Sequence, residues 1–332
     1  MPLPLLIPIA IGVAGAIFGA GKTVKAVMDS NEADDINANA NEIMENAKAS
    51  LEVVKNECST SLENLGFKKA YVLDNVVQDF IFYFEKLKNV NFKNTVGTDE
   101  LNSFITDKTS FKNIKELSIL ADTILKGVGG GLATGAVVAF GAYGAVGMFG
   151  AASTGTAIAT LSGTVATNAT LAFLGGGAIA AGGLGVAGGL AVLGGIVAVP
   201  ALCVIGLVSG SKASAKLDDA KKNLAEVKKT VEELKNMEIM ASAISRRSQM
   251  FYRLLVKLDA YLTPLVYDMK KIIETNGTDF ENFSEKDQQI IAKATSFTKA
   301  IKTVLDTPII NAEGGITEES LIVANNTNKY LE

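Results

Sequence analysis

Gly127 to Ser211 reads GVGGGLATGAVVAFGAYGAVGMFGAASTGTAIATLSGTVATNATLAFLGGGAIAAGGLGVAGGLAVLGGIVAVPALCVIGLVSGS, and these 85 residues contain no aspartate, glutamate, lysine or arginine. A bilayer core takes about 20 helical residues at ~1.5 Å each, so the run has length for two crossings with a generous middle, or up to about four short ones. Lysines stand on both flanks: Lys112, Lys115 and Lys126 before it, Lys212, Lys216, Lys221 and Lys222 after it. The positive-inside tendency then puts both ends on one side of a membrane, which requires an even number of crossings.

The run holds 23 of the chain's 32 glycines. Gly127, Gly131 and Gly135 recur every four residues, as do Gly185 and Gly189, and Gly206 and Gly210. On a helix that spacing makes a flat stripe on which a second backbone packs closely, a common mode of helix association in lipid. The bland alternative is a buried apolar core with glycines at its turns. Between the glycine-rich ends, Thr156, Thr160, Ser162, Thr164, Thr167, Asn168 and Thr170 supply hydroxyl and amide groups. They form either a polar face lining water in an oligomer or the reversal of a hairpin, since their spacing is not a single clean stripe.

Leu3 to Ala20 is a second apolar run, followed by Lys22 and Lys25. It lacks the basic stretch that precedes a secretory core, and fits a short anchor or an interfacial helix, with a buried helix as the alternative. Its end, GAIFGAGKT from Gly15 to Thr23, imitates a phosphate-binding loop, but Ala16 occupies the first required glycine and no strand pattern precedes it. The best apolar stretch ending in aspartate, Ala70 to Asp74, lies within a helical pattern.

The flanking arms are charged. Ile36, Ala40, Ile43, Ala47, Leu51 and Val54 mark an amphipathic helix over residues 30–65, with Gly66 as its stop. A second helix is expected over residues 70–90 with Phe80, Ile81, Phe82, Phe84 and Leu87 on its apolar face, and residues 117–125 lead into the uncharged block. Beyond the block, Leu217, Ala220, Leu224, Val227, Val231 and Leu234 follow coiled-coil spacing. That helix extends through Ile244, Phe251, Leu254, Leu255 and Leu258 up to Pro264. Ser284 to Asp287 resembles a capping box before a helix with Ile290, Ile291, Ala294, Phe297, Ile301 and Leu305, ended by Thr307-Pro308. Residues 312–315 read as a turn and Thr317-Glu318-Glu319 as the start of a last helix. The chain is expected to be all-α, in four parts: an apolar helix at 1–28, a helical arm at 29–126, an insertion hairpin at 127–211, and a coiled-coil and helical arm at 212–332.

Composition narrows the function. The 332 residues include no histidine and no tryptophan, which excludes histidine triads, imidazole metal sites and the commonest general base. Cys58 and Cys203 indicate neither a disulfide framework nor a zinc site. A net charge of −4 gives no overall attraction to nucleic acid. Arg246, Arg247 and Arg253 are all the arginine in the chain. They are candidates to meet lipid phosphates or a partner's carboxylates, against the ordinary fate of a solvated or paired surface charge. No catalytic residue, cofactor or metal is expected.

Residues 153–195, STGTAIATLSGTVATNATLAFLGGGAIAAGGLGVAGGLAVLGG, resemble an alanine-, glycine- and threonine-rich segment of a family of poorly characterised bacterial proteins that also begin with a short apolar run. In layout, charged helices around a concealed apolar hairpin are similar to the α-helical pore-forming toxins of the cytolysin A and haemolysin BL type, and to apolipoprotein-L-like proteins. That second resemblance implies an apolar element folded away in a soluble form and released into a bilayer, here residues 127–211. This block is longer than a toxin tongue, and the apolar start suggests residence at the producer's own membrane. The expectation is therefore a membrane-inserting, homo-oligomerising helical protein of the bacterial inner membrane, with its arms on the cytoplasmic side, that permeabilises or remodels a bilayer. The alternative is a membrane-anchored scaffold whose coiled-coil arms bind partner proteins.

Overall fold

The computed structural model describes residues 23–92, 98–106, 114–115, 117–118, 121–122, 125, 134–143, 213–311 and 315–331. The chain is all-α. Its elements are α1 (Thr23–Val72), a π-helical turn (Leu73–Val77), α2 (Gln78–Phe84), α3 (Thr98–Thr106), α4 (Thr134–Tyr143), α5 (Ala213–Asn276), a 3₁₀ turn (Phe280–Asn282), α6 (Glu285–Asp306) and α7 (Glu318–Leu331). Two isolated β-bridges, Lys88 with Asp279 and Ile310 with Ile316, add local ties between loops. The chain divides into two compact units, residues 1–47 with 202–232, and residues 48–201 with 233–332.

In the first unit, Ala40, Val227 and Val231 are buried together, with Ile43, Met44, Ala47 and Leu224 packed around them. The coiled-coil spacing read in α5 is thus matched by α1 of the same chain. Asn223 Nδ2 donates to Asn37 Oδ1 at 3.0 Å beside this seam. Val227 and Val231 lie four residues apart, on the face that an apolar stripe at steps of three and four gathers.

The second unit has a large core. Leu62, Leu65, Phe80, Phe140, Phe251, Leu255, Leu258, Ile291 and Ile301 are among its buried members. Burial of a side chain of this size contributes about 1.5–3 kcal/mol, before the conformational entropy of ordering it is deducted. Phe92 meets Phe280 edge-on at 5.5 Å, closing the core beneath the loop after α2. That loop is held by Lys88 N donating to Thr278 O at 2.8 Å and Phe280 N donating to Lys88 O at 3.1 Å. Asn89 takes a φ of 55° there, a left-handed conformation that asparagine tolerates better than most residues.

Several boundaries differ from the sequence expectation. α1 does not stop at Gly66 but continues to Val72, and the chain turns through the π-helical residues directly into α2. Phe82 is 55 % exposed rather than on the apolar face; Lys86 Nζ sits 3.8 Å over its ring. α3 lies in a stretch to which the sequence pattern assigns no element. α5 passes through Pro264 and ends at Asn276. Proline leaves the carbonyl four residues earlier without its helical donor, on a side of the helix where Ala260 and Pro264 are both exposed. On the opposite side Leu262, Val266 and Met269 are buried and carry the helix onward. Gly277, with φ 83°, then ends it, its N–H donating to Ile273 O at 3.1 Å; only glycine adopts this conformation freely.

The cap at α6 matches its sequence reading: Asp287 N donates to Ser284 Oγ at 3.2 Å, and Ser284 Oγ donates to Asp287 Oδ2 at 2.7 Å. The helix ends before Thr307-Pro308 as expected. Gly315 N donates to Asn311 Oδ1 at 2.7 Å; residues 312–314, read as part of a turn, lie outside the described residues. Thr317 Oγ1 accepts from Ser320 N at 3.3 Å at the start of α7.

Candidate functional site

Ten residues of the uncharged block, Thr134 to Tyr143, are described, and they form α4. This helix lies against α1 with almost no space between the backbones. A β-carbon placed on Gly66 would fall 2.0 Å from the Val137 carbonyl oxygen, and one on Gly141 would fall 2.1 Å from the Leu62 carbonyl oxygen. Real β-carbons do not approach that closely, so both positions require glycine for this crossing. Gly66, read from the sequence as a helix stop, is therefore a packing residue inside a helix.

The C-terminal end of α4 is held by polar groups. The last carbonyls of any helix lack intrahelical donors. Here Lys69 Nζ donates to Phe140 O at 3.0 Å and to Gly141 O at 3.2 Å. Ala142 O accepts from Ile309 N at 2.8 Å and from Ile310 N at 3.2 Å. A positive group at this end also meets the negative pole of the helix dipole. The Lys69 amine lies 5.6 Å from the centroid of the Phe140 ring.

Lys69 is completely buried. Burial pulls its amine down from 10.5 to about 7, and the charge of Asp306 opposes that shift. Asp306 in turn pairs with Lys302 on α6. The neighbouring Lys68 does something quite different: its Nζ donates to Asp259 Oδ2 at 2.7 Å, tying α1 to α5. Two adjacent lysines thus serve two helices.

Sequence reasoning missed Lys69 and Gly141. A signal for the lysine was present: Leu62, Gly66, Lys69, Leu73, Val76 and Phe80 are spaced at three and four residues. Lys69 is in phase with an apolar stripe, where a lysine is costly unless hydrogen-bonded. Gly141 had no such signal, because it is one glycine among 23 in the block.

Of the glycine stripe, Gly135 lies in α4; Gly127, Gly131, Gly185, Gly189, Gly206 and Gly210 lie outside the described residues. Thr156, Thr160, Ser162, Thr164, Thr167, Asn168 and Thr170 also lie outside them, as do Leu3 to Ala20, the loop-like sequence from Gly15 to Lys22, and Cys203. Among the described residues no helix is long and apolar enough to cross a membrane.

The three arginines have different surroundings on α5. Arg246 is exposed. Arg247 Nη1 donates to Ser320 Oγ at 2.7 Å, joining α5 to α7, and partial burial lowers its pKa. Arg253 lines a shallow groove with Met250, Leu254, Lys257, Ala324, Asn325 and Asn328, across which Lys257 Nζ donates to Asn328 Oδ1 at 3.1 Å. Cys58 is buried in α1 and its thiol is pushed up to about 11 by burial, which keeps it protonated and unreactive at neutral pH. Among the described residues no cluster of acidic or cysteine side chains has the form of a metal site.

Comparison of the chain with protein-family models, curated proteins and solved structures finds no match.

Proposed function

We propose that this chain is a membrane-inserting, self-associating helical protein that permeabilises or remodels a bilayer, with residues 127–211 as the inserting element. The observation that carries this reading is the 85-residue run without a charged side chain, bounded by lysine-bearing arms. The character of α4 supports it. Its ten residues are uncharged and rich in alanine, valine and glycine, yet at about 1.5 Å per residue they reach only about half-way across a bilayer core. Insertion therefore needs α4 to join the residues that follow it. The amphipathic arms would remain at the surface, and glycines four residues apart would let inserted helices pack closely. No cofactor and no catalytic step enter.

The test is flotation of the purified chain with dye-filled liposomes, reading association and release together. Association with release is the expected result. If Gly131, Gly185 and Gly189 are replaced by leucine, release and oligomer size should both fall; unchanged values would end the role given to the glycine stripe.

One observation favours a second reading, a membrane-anchored scaffold. On α5 the large apolar side chains of Tyr252, Val256 and Tyr267 are exposed and their spacing of four and eleven residues puts them on one side of the helix, a surface that suits a protein partner. Association with liposomes without release of dye would favour it.

A further inference from the structure

α4 is the first described segment of the uncharged block, and its seat in the second unit combines two kinds of contact. Along its length, backbone meets backbone at Gly66 and Gly141. At its C-terminal end, the Phe140, Gly141 and Ala142 carbonyls are taken by the Lys69 amine and by the Ile309 and Ile310 amides. These donors come from segments on either side of the block in sequence, α1 and the loop after α6.

From this geometry we infer that the junction is a releasable latch: Lys69 and the Ile309–Ile310 amides clamp the end of α4 and withhold the uncharged block from a bilayer until the clamp opens. The inference rests on the membrane-inserting reading above.

The choice of lysine is the main argument. A methionine would fill nearly the same space without the cost of burying an amine, so packing alone does not call for Lys69. What an amine adds is a contact whose two states are both satisfied. With α4 seated, the amine is hydrogen-bonded to two carbonyls; with α4 gone, the amine is hydrated, and those carbonyls accept from the residues that continue the helix. A leucine or methionine left behind would expose apolar surface instead. The glycine crossing adds cooperativity, because a backbone seated this closely is either in place or displaced and has no intermediate fit. Among the described residues, the charge that acts on the Lys69 amine is the Asp306 carboxylate, itself bonded to the Lys302 ammonium.

The experiment measures amide hydrogen exchange over residues 134–143 and dye release from phosphatidylethanolamine–phosphatidylglycerol vesicles, on the full chain and on Lys69→Met. Exchange over 134–143 should quicken about tenfold in the variant, the size expected for losing hydrogen bonds to two buried carbonyls, while Glu285–Asp306 keeps its protection. Dye release should quicken with it. Unchanged exchange over 134–143 overturns the latch even if the wild-type chain releases dye. Faster exchange with vesicle binding but no faster release overturns its role as the gate. If neither protein binds vesicles although 134–143 has loosened, it is the membrane-inserting reading that falls.

A wild-type measurement covers the case in which the variant does not fold. In low urea, residues 134–143 should lose protection before Glu285–Asp306; simultaneous loss would mean that α4 is an ordinary part of the core, and would overturn the latch.

Discussion

In the first unit α1 meets α5 through Ala40, Ile43, Met44 and Ala47 against Leu224, Val227 and Val231, a seam of modest side chains. In the second unit the same α1 meets α4 through Gly66 and Gly141, with main-chain oxygens in the places where side chains would otherwise stand. One helix thus uses two packing modes along its length. The seam tolerates change gradually, since each methylene removed costs about 0.8 kcal/mol. The crossing tolerates almost none, because a carbonyl oxygen has no alternative rotamer to adopt. Periodicity reveals the first mode and conceals the second.

Substitutions rank the two modes. The reference for ordinary core burial is Phe251→Ala, at a fully buried position, which should cost about 3–5 kcal/mol in urea denaturation. Gly66→Ala comes next. Alanine favours a helix over glycine by about 1 kcal/mol, yet the new β-carbon would meet the Val137 carbonyl at 2.0 Å. The clash should dominate, for a net loss of about 1–3 kcal/mol. A gain in stability would show that α4 is not held against α1 in solution.

The buried amine gives a pH signature. With Lys69 at about 7 when folded and 10.5 when free, the unfolded chain holds a proton between those values that the folded chain has given up. Stability should therefore rise with pH across that window, and this contribution should be lost as pH falls to about 7 and change no further below it. Urea midpoints measured between pH 7 and 10 should show the rise in the wild type and a flatter profile in Lys69→Met. Equal profiles would mean that the amine stays charged in the fold, sustained by its carbonyl partners and Asp306.

The seam offers a smaller effect. Val231→Ala should cost about 1–2 kcal/mol, seen as faster amide exchange in residues 220–232 with little change over residues 285–306. Smallest of all is Lys115→Gln. Its pair with Glu85 at 3.1 Å joins side chains that are each more than half exposed, and loss of such a pair should move stability by less than about 0.5 kcal/mol.

Much of the architecture was legible in the chain itself. Steps of three and four residues marked α1, α5 and α6, because one face of each helix had to be apolar to be buried. Ser284 and Thr307-Pro308 marked the ends of α6, since a cap and a proline act locally. The reading failed where a residue's local preference yields to its neighbours. Gly66 and Pro264 break isolated helices, yet both lie within helices here because burial on the adjoining faces outweighs them.

The sequence by itself determined that the protein is helical and that charged arms, without a histidine among their residues, enclose an uncharged glycine-rich block. These properties follow from composition and period, which each segment carries alone. Only the tertiary structure decided that the partner of the α5 seam is the chain's own α1, that Gly66 and Gly141 face opposing backbones, and that Lys69 closes the end of α4. Each of these joins residues far apart in the chain, and a close approach of two backbones leaves no periodic trace in either.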